Sequence, residues 1–117
     1  MISSLQHIEI RVTDIRKAKA FYHLVFSWTT EDGSPDYCFF DTGGNPGGAF
    51  VKVDAIPPGG NITLFMRTPT LDEKISLVER HGGKIVQGKM QHPVPGHGSY
   101  ALCEDPFGNR FGVWSER

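Results

Sequence analysis

Two side chains near the start of the chain could hold an ion or move a proton. His7 and Glu9 are two residues apart in a run that alternates polar and apolar positions, as a strand does. Residues two apart on a strand share one face, so the imidazole and the carboxylate are neighbours. Together they could bind a divalent ion weakly, although a catalytic zinc site normally has three protein ligands. The alternative is a histidine that only hydrogen-bonds to Glu9 or Asn61. Glu9 is also a candidate catalytic residue.

A second pair of histidines lies in a loop rich in proline and glycine. His92 and His97 flank the segment Pro93-Val94-Pro95-Gly96. One interpretation is a mobile lid, from which His97 acts as a general acid or base or as an extra metal ligand. The other is a polar surface loop, because proline and glycine account for a loop without any chemistry.

Other chemical signatures are missing from the sequence. There is no Ser-His-Asp or Cys-His pattern, no phosphate-binding P-loop and no dinucleotide fingerprint. Cys38 and Cys103 fall in strand-like runs, which predicts reduced core thiols. The formal net charge is −1 with scattered lysine and arginine, so we expect no nucleic acid partner. No apolar run approaches the ~20 residues that span a bilayer, and no signal peptide is visible. We therefore expect a cytoplasmic protein with no membrane partner.

The elements that position these side chains occur twice. The alternation of His7–Val12 recurs over Asn61–Arg67, and a helical stretch follows each run. Gly-punctuated strand-like segments follow each helix, so the predicted order is strand, helix and about three strands, twice over. We predict a single domain over residues 1–117, divided into module one (1–54), a linker (55–60) and module two (61–117). Two like modules can pair their first strands and enclose a cleft, which is a common ligand site.

Periodicity and turn residues give the bounds of each element. Helix 1 is predicted from Asp14, its cap, to Ser27, and its buried stripe is Ala18, Phe21, Tyr22 and Val25. Helix 2 is predicted to begin with a capping box of Thr70 and Glu73 and to end at His81-Gly82-Gly83. Its buried stripe is Leu71, Ile75 and Val78. The predicted turns are Asp32–Pro35 and Asp105–Asn109. The predicted strands are Leu5–Val12, Trp28–Thr30, Tyr37–Asp41, Gly48–Val53, Asn61–Arg67, Lys84–Met90, Ser99–Glu104 and Arg110–Trp114.

The phase of the strands predicts which side chains line the cleft. Alternate apolar residues should face the helices, namely Ile8, Ile10, Val12, Ile62, Leu64, Met66, Phe111 and Val113. Their neighbours then point the other way and are the predicted ligand-binding residues: His7, Glu9, Asn61, Thr63, Phe65, Arg110 and Trp114. Phe65 and Trp114 are the candidates for stacking against a ligand. Arg11 and Arg67, further along the same faces, could attract an anionic ligand group.

Several stretches of the chain resemble one known group of proteins. They are His7–Asp14, Lys17–Tyr22, Val25–Trp28, Gly82–Val86 and Glu104–Phe111. The group is the vicinal oxygen chelate superfamily, which includes glyoxalase I, bleomycin-resistance proteins and extradiol dioxygenases, and the chain is most similar to small glyoxalase-like members. The resemblance covers nearly the whole chain. It implies an α+β fold of paired βαβββ modules, with a curled eight-stranded mixed sheet around a cleft and helices on the outer face.

The resemblance also implies where a metal would bind. In metal-dependent members, side chains from the first and fourth strands of each half hold a divalent ion that acts as a Lewis acid. The matching positions here include His7, Asn61 and Gly112. The fourth predicted strand, Gly48–Val53, has neither histidine nor carboxylate. An amide oxygen is a poor ligand for zinc or iron, and glycine has no side chain. We therefore expect no cofactor, with a divalent metal at His7 as the alternative.

These observations lead to two functional hypotheses. The first is a protein that binds a small aromatic or oxygen-rich molecule in the cleft between the modules without a complete metal site, as drug-sequestering relatives do. The alternative is a metal-dependent lyase, isomerase or dioxygenase with a rearranged site around His7 and Glu9. In both cases we expect a homodimer, because edge strands need covering and relatives commonly pair.

Overall fold

The computed structural model describes Ile2, residues 5–57 and residues 62–117. The chain divides into two compact units, Met1–Ile56 and Pro57–Arg117. The elements of the first unit are β1 (His7–Val12), α1 (Ile15–Phe26), β2 (Thr29–Ser34), β3 (Tyr37–Asp41) and β4 (Gly47–Lys52). Those of the second unit are β5 (Phe65–Arg67), α2 (Leu71–Arg80), β6 (Lys84–Gln91), β7 (Ser99–Glu104) and β8 (Arg110–Ser115). Neither helix among the described residues is long and apolar enough to cross a membrane.

Each unit contains one four-stranded mixed sheet. The order is β1-β4-β3-β2 in the first sheet and β5-β8-β7-β6 in the second. The first strand of each unit pairs in parallel with the last, and the other pairs are antiparallel. The predicted α+β fold of two βαβββ modules with eight strands is therefore confirmed.

Helix α1 forms as its sequence predicts. The Asp14 side chain caps its start by accepting a hydrogen bond from the backbone N–H of Lys17 at 3.1 Å. The buried residues are the predicted stripe of Ala18, Phe21, Tyr22 and Val25. The helix packs against β2 and β4. The centroid of the Tyr22 ring lies 4.8 Å from that of Trp28 and 5.1 Å from that of Phe50. This aromatic cluster forms much of the core of the first unit.

Helix α2 begins and ends at the predicted residues, but its first turn lacks the predicted capping interaction. Its N-cap is Thr70, yet the Thr70 side chain makes no capping hydrogen bond, so the predicted capping box is wrong. The Thr70 N–H donates to Oγ1 of Thr68 at 3.2 Å, which removes the donor that Glu73 would have to satisfy. At the other end Gly82 has φ +95°, and the N–H of Gly83 donates to the Val78 carbonyl at 2.8 Å. This left-handed glycine terminates the helix as predicted.

The strand phase is confirmed in β1 and β8. Ile10, Val12, Phe111 and Val113 are buried. His7, Glu9, Arg11 and Arg110 are exposed, and Trp114 is half-buried. The helices cover the apolar faces, since α2 packs against β6, β7 and β8. A polar face therefore remains on each sheet.

The fifth strand is shorter than predicted. β5 covers only Phe65–Arg67, and Ile62 is 82% exposed where a core position was expected. The register explains this, because Phe65 pairs with Gly112 and β8 begins at Arg110. A parallel partner in this register has nothing to pair with before Thr63. The predicted strand residue Asn61 lies outside the described residues.

The first hairpin also differs from the prediction. β2 continues through Gly33 to Ser34, so the turn falls at Pro35 and Asp36 instead of Asp32–Pro35. An irregularity in the β2–β3 register between Asp32 and Ser34 accommodates the extra length. The other predicted turn is present: Oδ1 of Asp105 accepts hydrogen bonds from the N–H groups of Phe107 and Asn109, each at 2.9 Å.

Candidate functional site

The polar face of the first sheet, called here the first polar face, combines histidine, carboxylates and aromatic rings. Cross-strand partners lie on the same side of a sheet. One row therefore runs Glu9, Ala49, Phe39 and Glu31 across β1, β4, β3 and β2. Arg11, Val51 and Tyr37 form the next row, and His7 pairs with Gly47 on the other side. The predicted site residues His7 and Glu9 are thus neighbours, as expected.

Tyr37 joins His7 and Glu9 into a hydrogen-bonded cluster. Its phenol oxygen is 2.8 Å from Nε2 of His7 and 2.9 Å from Oε2 of Glu9. Nε2 of His7 and Oε2 of Glu9 are themselves 3.5 Å apart. A carboxylate only accepts and the phenol has one proton, so Tyr37 donates to Glu9 and the protonated Nε2 of His7 donates to Tyr37. In this arrangement Nε2 has no free lone pair for a metal ion.

Tyr37 reaches this cluster by extending over two small residues of the intervening strand. It belongs to β3, its partners belong to β1, and β4 lies between them with Gly47 and Ala49 on the same face. Desolvation is the largest cause that raises the pKa of Tyr37, and the hydrogen bond to Glu9 and the charge of that carboxylate raise it further. The hydroxyl therefore keeps its proton at neutral pH. Sequence reasoning missed Tyr37, although the burial of Cys38 and Phe40 gives β3 the phase that exposes it.

Phe39 adds an exposed aromatic ring to the first polar face. It is 46% exposed and contacts the Tyr37 ring edge-on, with centroids 5.1 Å apart. The ring leans over Gly33 of β2, where an added Cβ would meet it at 2.9 Å. Tyr37 thus extends towards β1 and Phe39 towards β2, so that aromatic surface spans the sheet.

The second polar face, on the second sheet, is more aromatic. One row contains Phe65, Gly112 and Leu102, and the next contains Arg67, Trp114 and Tyr100. The Phe65 and Tyr100 rings meet edge-on with centroids 6.0 Å apart. Sequence reasoning selected Phe65 and Trp114 for this face but not Tyr100, which is the cross-strand partner of Trp114.

The ring of Phe65 lies directly over Gly112. An ideal Cβ built on Gly112 would be 2.2 Å from Cε1 and 2.3 Å from Cδ1 of Phe65. No side chain fits at position 112 while Phe65 stays where it is. Phe65 remains 50% exposed, so its other surface is available for contact.

Trp114 connects the second polar face to the histidine loop. Its Nε1–H donates to the backbone carbonyl of His97 at 2.7 Å, and the Arg67 guanidinium lies 5.8 Å from its ring centroid. The His97 ring is 5.4 Å from the His92 ring, and its Nδ1 is 3.3 Å from the Pro95 carbonyl. The structure thus ties the backbone of His97 to the predicted site, whereas its ring bonds within its own loop.

The remaining predicted residues are less closely associated. Arg110 is exposed on the second polar face, with its Nε 3.6 Å from Oε2 of Glu104. Thr63 is exposed and precedes β5. Asn61, which the family resemblance marks as a ligand position, lies outside the described residues.

Comparisons with known proteins now identify the family. Residues 4–113 match the model of the Glyoxalase/Bleomycin resistance protein/Dioxygenase superfamily. The chain belongs to this superfamily. The resemblance inferred from the sequence is thereby confirmed. Among curated protein sequences none matches significantly.

Solved structures share the fold at low sequence identity. A family enzyme from Burkholderia phytofirmans PsJN has a TM-score of 0.84 at 20% identity, covering 98% of this chain and 100% of its own. The fosfomycin resistance protein FosX from Listeria monocytogenes has a TM-score of 0.82 at 20% identity, covering 98% and 94%. TioX from Micromonospora sp. ML1 has a TM-score of 0.71 at 19% identity, covering 98% and 100%. These similarities concern the fold.

Family membership raises the question of a metal, since a mutant of FosX has been crystallised with Mn(II) and a dihydroxypropylphosphonic acid. The described residues contain no group of three or more His, Cys, Asp or Glu side chains that could hold a metal ion. At the position matching the last family ligand, Phe65 fills the space over Gly112. At the first, Tyr37 engages Nε2 of His7. The described residues therefore do not fit the family's metal site.

Proposed function

We propose that this protein binds a small organic molecule on its polar sheet faces and does so without a resident metal ion. The observation that carries the proposal is the ring of Phe65 over Gly112. An aromatic contact surface stands there in place of a metal ligand. The proposed ligand contacts are the sequence-predicted residues His7, Glu9, Asn61, Thr63, Phe65, Arg110 and Trp114, to which we add Tyr37 and Tyr100.

The aromatic residues supply the apolar part of the proposed recognition. Phe65, Tyr100 and Trp114 are partly exposed on adjacent rows of one sheet face. Aromatic side chains bury large apolar areas and favour offset or edge-on contact with another ring. A ligand with an aromatic or other flat apolar group would gain most from this surface.

The His7–Tyr37–Glu9 cluster supplies the polar part. A ligand hydroxyl or carbonyl can exchange hydrogen bonds with this cluster, because His7 and Glu9 are partly exposed on the same face. Such an exchange is nearly neutral in the number of hydrogen bonds, so it adds selectivity for oxygen-bearing ligands more than affinity. This division of roles supports binding chemistry without a Lewis acid.

The metal-dependent alternative rests on one observation, the 3.5 Å approach of His7 and Glu9. For this pair to bind an ion, His7 must give up its bond to Tyr37 or use Nδ1. Further ligands must then come from water or from outside the described residues. A lyase, isomerase or dioxygenase of the family type would need such a rearrangement.

A ligand screen followed by matched substitutions tests the proposal. We expect any soluble organic ligand found by ligand-observed NMR to bind with equal affinity before and after treatment with a chelator. Trp114→Ala and Phe65→Ala should weaken it roughly five- to tenfold, the loss of ~1–1.5 kcal/mol from one aromatic contact. Glu73→Gln on the exposed surface of α2 is the control and should change nothing. Binding that vanishes with the chelator and returns with Mn(II) or Zn(II) would contradict the proposal.

We also propose that the protein is a homodimer. Considered by itself, each sheet ends in two outer strands, β1 and β2 or β5 and β6. Unpaired strand edges invite association, and a second copy of the chain is one way to cover them. Sedimentation at micromolar concentration should give twice the mass of 13.0 kDa. A monomer under those conditions would rule the dimer out.

A further inference from the structure

The first polar face is acidic. It carries three carboxylates, Glu9, Glu31 and Asp41, against the single guanidinium of Arg11, a formal charge of −2 with histidine neutral. The second polar face carries Arg67, Lys84 and Arg110 against Glu104 and against Glu116, which is ion-paired with Arg67, a formal charge of +1. The two faces are therefore suited to ligand groups of opposite charge.

The exposed ring of Phe39 lies beside one of these carboxylates. Phe39 and Glu31 are direct cross-strand partners, so their Cβ atoms are roughly 5 Å apart. The ring leans towards the strand of Glu31, over Gly33. An aromatic face with a neighbouring carboxylate attracts a positively charged group, which gains both cation–π and ionic contact.

Two cations of the first unit, Lys19 and Arg11, lie away from this position. Nζ of Lys19 is 3.1 Å from Oδ1 of Asp32. Asp32 is the cross-strand partner of the buried Cys38, so this ion pair lies on the opposite side of the sheet. Arg11 lies on β1, three strands away from Glu31 on β2. At about 4.8 Å per strand, that is roughly 14 Å in the sheet.

The spacing of the carboxylates on the first polar face argues against a metal-ion site there. Glu9 and Glu31 share one row but stand on the two outer strands, again roughly 14 Å apart at about 4.8 Å per strand. A single metal ion with ligand distances near 2–2.6 Å cannot bridge them. An organic cation needs only one carboxylate and an aromatic face.

We infer that the first polar face binds an organic cation, a protonated amine or a quaternary ammonium group, over Phe39 and against Glu31. Tyr37 borders the ring on the other side and remains a neutral phenol. This inference rests on the proposed function and adds the chemical class of one ligand group. It does not depend on which molecule carries that group.

Three small probes with the same phenyl group separate charge from shape. They are 2-phenylethylammonium, neutral 2-phenylethanol and anionic phenylacetate, each titrated at neutral pH and low salt into ¹⁵N-labelled protein. We expect the ammonium probe to bind roughly two- to fivefold more tightly than the alcohol, as an exposed cation–π contact would produce. It should shift the amide signals of Phe39 and Glu31, and phenylacetate should not.

Matched variants test whether the preference for the ammonium probe depends on Glu31 and Phe39. Glu31→Gln and Phe39→Leu should each bring the ratio of the two affinities close to one, while Glu73→Gln, which removes the same charge from α2, should preserve it. The dispersion of the amide spectrum checks that each variant is folded. If Phe39→Leu does not fold, the affinity ratio measured with Glu31→Gln alone tests the organic-cation site.

The outcomes separate this inference from the proposed function. Equal affinities for ammonium and alcohol, a preference that survives in Glu31→Gln, or no binding of the ammonium probe each overturn the organic-cation site. A screened ligand that still binds without metal and is weakened by Trp114→Ala would leave the proposed function standing in every one of these cases. Conversely, chelator-sensitive binding of that ligand would remove the proposed function, whereas an ammonium preference that is lost in Glu31→Gln would still support a cation-binding group at Phe39.

Discussion

The ring of Phe65 occupies the volume that any side chain at Gly112 would need, with Cε1 only 2.2 Å from an ideal Cβ at that position. The two residues are direct partners in the parallel β5–β8 pair. Position 112 is also where the family resemblance expects a metal ligand. Phe65 therefore leaves no room for a side chain at this position and itself presents an exposed aromatic ring.

This relationship predicts energetic coupling between the two positions. In a Phe65→Ala background, Gly112→Ala should stabilise the protein by about 0.5–1 kcal/mol, because alanine loses less backbone entropy than glycine in a strand. With Phe65 present the same change must displace the ring, and we expect it to be neutral or destabilising. Urea denaturation of the four proteins in this cycle measures the coupling. An equal effect of Gly112→Ala in both backgrounds would show that Phe65 does not occupy this volume.

A second glycine, Gly48, should not tolerate substitution, for a different reason. A Cβ on Gly48 would lie 2.0 Å from the carbonyl oxygen of Ile8, which is backbone and cannot move without disturbing the β1–β4 pair. Gly48→Ala should therefore cost about 1–3 kcal/mol or more. Gly44 has nothing within 4 Å and is the matched control, expected to change stability by no more than about 0.5 kcal/mol. Similar melting temperatures for both variants would refute this packing.

The strand phase predicts opposite behaviour for core and polar-face substitutions. Ile10 is 8% exposed, and Ile10→Ala should cost about 2–5 kcal/mol through cavity formation. Arg110→Ala should cost no more than about 0.5 kcal/mol, because its exposed ion pair with Glu104 contributes little. Chemical denaturation distinguishes the two classes, and a reversal of their order would mean that the register is shifted by one residue.

Tyr37 should titrate above an ordinary tyrosine. Desolvation and the hydrogen bond and charge of Glu9 raise its pKa in the folded protein. The stability linked to this shift is fully present below the unfolded phenol pKa of about 10 and is lost as pH rises through the folded value. Tyr37→Phe should therefore lose less stability than wild type over this alkaline range. NMR titration of ¹³Cζ-labelled tyrosines, assigned with Tyr37→Phe, gives the pKa directly, and a value at or below about 10 would contradict the cluster.

Much of the fold follows from periodicity alone. The stripe of α1 and the faces of β1 and β8 could be predicted because burial of one face imposes a strict repeat on the sequence. The length of β5 could not, because it depends on where β8 begins after the Asp105–Asn109 turn. The start of α2 at Thr70 was predicted correctly, but its capping box was not, because Thr68 accepts the backbone N–H that a local motif assigns to Glu73.

The candidate site was predictable only within a strand. His7 and Glu9 are two residues apart, and their adjacency follows from strand geometry. Tyr37 is distant in sequence and reaches them only because β4 inserts between β1 and β3 with small residues on the shared face. The proposed contacts of Phe65 likewise depend on a cross-strand register that no local pattern encodes.

Metal content tests most directly whether the protein binds its ligand without a metal. Purified protein, dialysed against metal-free buffer and analysed by plasma mass spectrometry, should contain far less than one zinc, nickel, manganese or iron per chain. The His7→Ala variant should give the same result. One metal ion per chain that survives dialysis and is lost in His7→Ala would contradict the account and favour the metal-dependent enzyme.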